Sequence, residues 1–380
     1  MKDRTLLGPA DVTDDELTRM VGTLLHDDPT SVELLTSTAE VVPYDLPAIT
    51  TAGRFWVSGT ARGPGGVEPF RMFVKHVQSW ARSPYFADVP EDMREMAEAS
   101  VPWRTEPLAY RSDLRDRLPD GLHMPRALGV FDLDERSATV WLEDVSAPAV
   151  AWDAERFARA AFLLGRLAAS AQVAERAGVG EHPWNVYSYY YGRLANQVLP
   201  LLADPGIWRH PLVSSTFDDE LRGRLDKAAA RAAEYVDELA GMPPGTQHGD
   251  ASPNNLLPGP TPDSFVLIDY GFWVPGTVGF DLAQLVVGDV QIGRRPASLL
   301  NETEDVCLPA YIDGLRAEGL DLPPDVVRRA HALQMLIFTG LSTMPFEHLG
   351  EPPTPELHAM AMERAAIARF SLDLIDTTGG

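Results

Sequence analysis

The strongest constraint on this chain is a change of period near residue 145. Between residues 38 and 78 the apolar positions alternate, as in "AEVVPYDLPAI", "RFWVSGTAR" and "PFRMFVKHV", with a "GPGG" turn before the last of them. Alternation is the signature of half-buried strands, and "MPRALGVFDLD" and "SATVWLEDV" read the same way. After "SAPAVAW" the spacing becomes helical: Asp153 is placed to cap a helix over "AERFARAAFLLGRLAASAQVAERAG". Helices then dominate, apart from the stretch around residue 247 and the short apolar run "SFVLIDYGF". A sheet buries a face and a helix buries a stripe, so the expected fold is α+β with two lobes. One is sheet-rich over residues 1–145, and the other is mainly helical over 146–380.

Within the first lobe, Thr13 and Glu16 have the spacing of a capping box, and Leu17, Met20, Val21, Leu24 and Leu25 follow at helical intervals. The segment "EDMREMAEASVPWRTEPLAYRSDLRDRL" predicts one or two helices, interrupted near Pro102. There is no internal repeat and no low-complexity linker. A chain of 380 residues with 45% hydrophobic residues can bury a sizeable core.

The net charge of -23 argues against nucleic acid and anionic membranes as partners, since both need surplus lysine and arginine at the contact. No run of eighteen apolar residues occurs and the first residues lack an apolar core, so a cytoplasmic protein is expected. Cys307 is the single cysteine, which excludes an internal disulfide framework and a cysteine-rich zinc site.

The chemistry concentrates in "QHGDASPNNLL", residues 247–257. Asp250 and Asn255 sit five positions apart in a segment too irregular for a helix, so their side chains can converge. Asp269 ends the apolar strand "FVLID", where a buried strand opens into a turn. Oxygen donors of this kind suit Mg2+, which takes one or two carboxylates together with substrate phosphates. Phosphoryl transfer asks little more of a protein than a carboxylate near the attacking hydroxyl, a metal and a lysine on the phosphates. The plainer alternative for all three residues is an Asx-rich turn and a strand end.

In order and spacing, "HGDASPNN", "LIDYG" and "GFDLAQL" resemble the signature of the aminoglycoside phosphotransferase family, relatives of protein kinases and choline kinases. The resemblance implies a two-lobed protein-kinase-like fold with a small N-terminal antiparallel sheet. It makes Asp250 the catalytic base or hydroxyl-orienting carboxylate, has His248 brace the catalytic loop, and gives Asn255 and Asp269 the magnesium. Asp281 becomes a support at the start of a helix, the alternative being a plain N-cap. It also asks for a lysine on the third strand and a glutamate on the crossing helix. Lys75 in "MFVKHV" would be costly to bury without an anion, and Glu106 is the best partner, with Glu91, Glu95 and Glu98 as competitors. A solvent-facing edge position is the other reading of Lys75.

No G-x-G-x-x-G precedes that lysine. "ITTAGRFWVSG" stands there instead, with Thr51 and Gly53 at the first strand turn as a looser phosphate cover. "VWLEDV" is the expected hinge, with Trp141, Leu142 and Glu143 near the nucleotide base. For the acceptor, two stretches are available: "HPWNVYSYYYGR", with Trp184, Tyr187 and Tyr190, and "TGLSTMPFEHLGE", with Glu347; core packing and a surface loop are the alternatives. The resulting expectation is a kinase using ATP, or GTP in its place, with Mg2+ to phosphorylate a hydroxyl of a small molecule. An aminoglycoside or other antibiotic, a sugar, a nucleoside and an amino alcohol all qualify, and antibiotic resistance is one expected role. A monomer or homodimer is expected. Two other readings are a nucleotide-binding kinase-like protein without catalysis, and a metal-dependent hydrolase, which leaves Lys75 and the sheet-rich lobe without a purpose.

Overall fold

The computed structural model describes residues 2–26, 28, 30–43, 48–145 and 150–379; the "SAPA" before the second lobe and the "YDLP" within the first strand reading lie outside the described residues. The chain begins with strand β1 (Lys2–Asp3) and helix α1 (Asp14–His26). The capping box closes reciprocally: Thr13 N–H donates to Glu16 Oε2 at 3.0 Å and Glu16 N–H to Thr13 Oγ1 at 3.2 Å.

Three strands follow, β2 (Glu33–Val41), β3 (Thr51–Gly63) and β4 (Gly66–Gln78), and later β5 (Leu122–His123), β6 (Ala127–Asp134) and β7 (Ser137–Glu143). The main sheet has the order β1-β2-β3-β4-β7-β6, antiparallel except at β1/β2. β2 starts earlier than the sequence reading and stops at Val41, two residues before Pro43, which has no N–H for a ladder. The "GPGG" segment closes the β3–β4 hairpin, with Gly63 opposite Gly66.

The two faces of this sheet have separate fates. Phe55, Val57, Met72, Val74 and Trp141 pack with Leu17, Met20 and Val21 of α1 in one core cluster. Alternate residues Arg54, Trp56, Phe73, Lys75 and Leu142 turn the other way and line a cleft. The two short helices expected on either side of Pro102 are α2 (Arg94–Ser100) and α3 (Thr105–Arg111), and α3 lies under that face, with Glu106 and Tyr110 in the cleft wall.

The second lobe opens with α4 (Ala154–Ala169), capped by Asp153, whose Oδ1 accepts from Arg156 N–H at 2.9 Å. After a run of mostly short helices over residues 171–240, two small ribbons follow: β8 (Pro244–Gln247) pairs with β11 (Val274–Thr277), and β9 (Leu256–Pro258) pairs with β10 (Phe265–Leu267), which also runs beside β5. Helices α5 (Phe280–Gln291), α6 (Leu300–Ala317), α7 (Pro324–Phe338) and α8 (Pro355–Thr378) enclose them. α4 and α6 meet through glycines, for a Cβ on Gly165 would lie 2.2 Å from Tyr311 O and one on Gly314 2.0 Å from Phe162 O. Among the described residues no helix is long and apolar enough to cross a membrane.

Candidate active site

The cleft between the lobes is organised around Lys75. Its Nζ lies 2.6 Å from Glu106 Oε2 on α3 and 2.8 Å from Asp269 Oδ1 just after β10. Lys75 and Glu106 are 5% and 3% exposed, so the predicted need for an anion is met in nearly dry surroundings. Burial works against the ammonium, but Asp269 and Glu106 outweigh it and hold its pKa up. One lysine serves two carboxylates unequally. Burial pushes Glu106 up to about 7, with the charge of Asp269 adding to it, whereas Lys75 overcomes burial at Asp269 and holds it below its ordinary value. Of the competing glutamates, Glu98 is committed elsewhere, to Ser79 and Arg136.

Asp269 has φ 65, a left-handed backbone that a non-glycine residue adopts only under local demand. Here the chain must turn sharply out of β10 so that the carboxylate faces the cleft. The loop after β8 presents the rest. Asn255 Nδ2 donates to Asp250 Oδ2 at 2.8 Å and to Asp250 O at 2.9 Å, so the two polar residues do converge. Burial, reinforced by the charge of Asp269, raises Asp250 to about 7.

Asp281, in the first turn of α5, holds this loop from below. Its Oδ2 accepts from His248 N–H at 2.7 Å and its Oδ1 from Gly249 N–H at 2.9 Å. The N-cap position itself belongs to Gly279. Gly249 has φ 86, and a Cβ there would lie 2.2 Å from Phe272 O. Only glycine fits the turn that brings Asp250 forward. The His248 ring is fully buried edge-on against Tyr270, with centroids 4.9 Å apart, and burial pushes it down to about 4. It lines neither cavity described below, and burial keeps the ring neutral.

Two larger cavities flank these residues without a lining residue in common, and a smaller channel borders both. The first, about 260 Å³, lies under the sheet and is lined by Trp56, Phe73, Lys75, Leu142, Asn255 and Asp269, with Glu143 at its end. A side channel of about 200 Å³ continues from it past Thr51, Arg54, Glu106 and Asp250. The second cavity, about 730 Å³, opens at Asp250 and is walled by the helical lobe apart from Pro102. Trp184 and Glu347 line it.

Four expected contacts fall elsewhere. Trp141 is fully buried on the α1 side of the sheet, because it alternates with Leu142 in β7. Gly53 faces the Phe55 ring and lines none of the three cavities. The Tyr187 hydroxyl donates to Asp237 Oδ1 at 3.0 Å on an exposed surface. Tyr190 packs edge-on with Tyr191 at 5.0 Å, outside the walls. Tyr189, from the same aromatic stretch, does line the second cavity.

Arg54 was missed by the sequence reading. It borders both the first cavity and its side channel, directly opposite Lys75 in the β3–β4 register. The hairpin turn contained the signal: counting outward from the Gly63/Gly66 pair brings Arg54 opposite Lys75. Arg193, Gln247 and Arg364, also unforeseen, stand in the wall of the larger cavity.

A model of the phosphotransferase enzyme family matches residues 114–315, a span that contains Asp250, Asn255, Asp269 and Asp281. An aminoglycoside phosphotransferase from Alicyclobacillus acidocaldarius superposes with TM-score 0.53 at 16% identity, covering 89% of this chain and 96% of that one. Looser likeness links it to a choline/ethanolamine kinase family protein from Mesorhizobium loti, with TM-score 0.46, 14% identity and coverage of 89% and 88%. An amicoumacin kinase gives TM-score 0.43 at 12% identity over 98% and 96% of the two chains. A search of curated proteins by sequence found no match. The first superposition shows the fold, two-lobed and kinase-like, and at that identity it speaks to nothing finer. The family model, by contrast, spans more than half of the sequence, and the chain belongs to the phosphotransferase enzyme family.

Proposed function

We propose that this protein transfers the terminal phosphoryl group of ATP, with Mg2+, to a hydroxyl of a small molecule. The observation that carries the proposal is the position of Asp250: its carboxylate stands at the junction of a cleft lined by Lys75, Glu106 and Asp269 and a separate 730 Å³ cavity. A transferase needs such a meeting point, because donor and acceptor must approach one carboxylate from opposite sides.

The donor side fits a nucleoside triphosphate. Lys75 and Arg54 are cross-strand neighbours that place two cations along the path toward Asp250, in the role that a glycine-rich cover has elsewhere. Phe73, Leu142 and Trp56 supply an apolar ceiling for a base.

The donor set also fits a divalent cation. Lys75 carries one charge against the two carboxylates of Glu106 and Asp269, and Asp250 adds a third carboxylate close by. Asn255 and Asp269 would hold Mg2+, whose chemistry there is to offset charge on the phosphate oxygens. Asp250 orients the acceptor hydroxyl and takes its proton. As the hydroxyl oxygen bonds to the terminal phosphorus, the bond to the bridging oxygen breaks and ADP leaves. Asp281 keeps the loop in register through its two N–H bonds. Aminoglycosides, other antibiotics, sugars, nucleosides and amino alcohols remain the acceptor classes, with antibiotic resistance one role among them.

Labelled ATP, Mg2+ and a panel of such alcohols test the reading, with wild type and Asp250→Ala in parallel. The expected result is transfer to at least one acceptor that the variant lacks. Equal transfer by both proteins to every acceptor would overturn the role given to Asp250.

A further inference from the structure

The larger cavity has a charge balance unlike that of the chain around it. The protein carries a net charge of -23, yet only two carboxylates, Asp250 and Glu347, line this cavity among the described residues. Glu347 is already paired, its Oε1 lying 2.6 Å from Arg364 Nη2. Arg364 and Arg193 also stand in the wall, and the Arg193 guanidinium has no hydrogen-bond or ion-pair partner among the described residues. His182, in the same wall, is pushed down by burial and stays neutral. Beyond the proton-accepting Asp250, then, the cavity offers an incoming ligand a free cation and no free anion among the described residues.

The rest of the lining is apolar rings and amides. Trp184, Tyr189, Phe280 and Phe338 form a connected aromatic wall, with centroid separations from 4.5 to 6.2 Å. Gln197, Gln247, Gln284 and Gln291 supply neutral hydrogen-bonding groups. Arg193 and Gln197 both project from the nine-residue π-helix Tyr190–Val198. Wide turns of this kind are rare and cluster at functional sites. A volume of about 730 Å³ suits a drug-sized ligand.

Resting on the phosphotransferase reading above, we infer that the acceptor is an uncharged or anionic hydroxylated molecule with a ring-shaped apolar face, its anionic group where present meeting Arg193, and that polycationic acceptors are disfavoured. A polyamine would set its ammonium groups against Arg193 and Arg364 without carboxylates to receive them. A ring face lies against the aromatic wall, and the glutamine amides bond to hydroxyls.

Calorimetric titration of the full chain in the presence of Mg2+ and a non-hydrolysable ATP analogue tests this. The probes are p-nitrophenyl β-D-glucuronide, the uncharged p-nitrophenyl β-D-glucoside and kanamycin. The two glycosides share the nitrophenyl ring, the sugar ring and its ring hydroxyls, and differ only at C6, where a carboxylate stands in place of the hydroxymethyl group. The glucuronide should bind about tenfold tighter than the glucoside, with kanamycin weakest. Arg193→Gln should remove the glucuronide's advantage and leave the glucoside within about twofold. Kanamycin binding more tightly than the glucoside, a glucuronide Kd unmoved by Arg193→Gln, or no binding of either glycoside would each overturn the inference. A separate titration with the nucleotide, and Asp250-dependent transfer from ATP, report on the phosphotransferase reading. Failure there with the glycoside preference intact sinks that reading alone, and success there with kanamycin preferred sinks only the acceptor class.

Discussion

Replacing Asp250 by asparagine should abolish transfer and at the same time make the apo protein more stable. The carboxyl has an ordinary value of 3.8 and is raised to about 7 in the folded chain, first by burial and then by the charge of Asp269. A rise of that size, at about 1.36 kcal/mol for each tenfold change in proton affinity, is worth about 4 kcal/mol. Part of Asp250 opens onto the acceptor cavity, and solvent screening there reduces the figure to about 2–3 kcal/mol. The sign follows from the raised folded value. Folding favours the protonated carboxyl, so its contribution is complete below pH 3.8 and is lost as pH rises through about 7. The amide oxygen of an asparagine in this place would still accept the bond that Asn255 Nδ2 now donates to Asp250 Oδ2, without the charge. Urea unfolding of wild type and Asp250→Asn in EDTA, from pH 4 to pH 8, measures the difference. It should be near zero at pH 4 and grow to about 2–3 kcal/mol in favour of the variant by pH 8. Transfer should fall by about a hundredfold or more, since a positioned acid or base contributes that much. A stability difference flat across this range, or a variant less stable than wild type at pH 8, would refute the reasoning.

Three further substitutions probe the other parts of the site. Lys75→Met leaves the buried Glu106 and the partly exposed Asp269 without their nearest cation, and should cost about 3 kcal/mol in urea unfolding while weakening nucleotide binding in a fluorescence titration. Arg54→Ala should raise KM for ATP by about tenfold with kcat changed much less, because Arg54 borders the donor cleft and not the acceptor cavity. Asp281→Ala removes the acceptor of the His248 and Gly249 N–H groups, two buried donors worth about 1–3 kcal/mol each when unmet, and steady-state kinetics should show kcat falling more than KM rises.

How far the sequence could be read depended on whether the relevant order was local. The helix start at Thr13 and the break around Pro102 involve neighbours in the chain, and the structure has both where the spacing puts them. Trp141 shows where locality ends. The apolar run "ATVWLE" gives no hint of which residues face the cleft, because the strand is buried on both sides. Only the register with β4, which sets Lys75 opposite Val140 and Phe73 opposite Leu142, turns Leu142 inward and Trp141 outward. Arg54 is the reverse case, since the hairpin turn held its register in plain sight. The acceptor cavity had no comparable local signal. Its walls come from Pro102 and from segments around residues 182–201, 247–291 and 338–367, and the π-helix that carries Arg193 has the composition of an ordinary helix. Pairs such as Glu347 with Arg364 appear only once the chain is folded.

The charges of the site also explain why its cost and its affinity are the same property. Of four neighbouring carboxylates, Glu106, Asp250 and Asp269 feel Lys75 directly, and Asp281 stands behind Asp250. Asp281 is the least demanding, because two backbone N–H bonds answer its charge, though burial still raises it to about 6. The other three face one lysine and one arginine, and Glu106 and Asp250 both respond by rising to about 7. A divalent cation at Asp269 and Asn255 would answer that surplus directly, so its binding energy and the relief of the apo state's strain arise from one set of charges. Mg2+ added with nucleotide should therefore raise the unfolding midpoint of wild type more than that of Asp250→Asn. The increment should be about 2.7 kcal/mol at a hundredfold excess over Kd, the value that mass action sets for a single site. If both proteins gain equally, the cation does not feel Asp250, and the surplus of carboxylates has some other purpose than holding it.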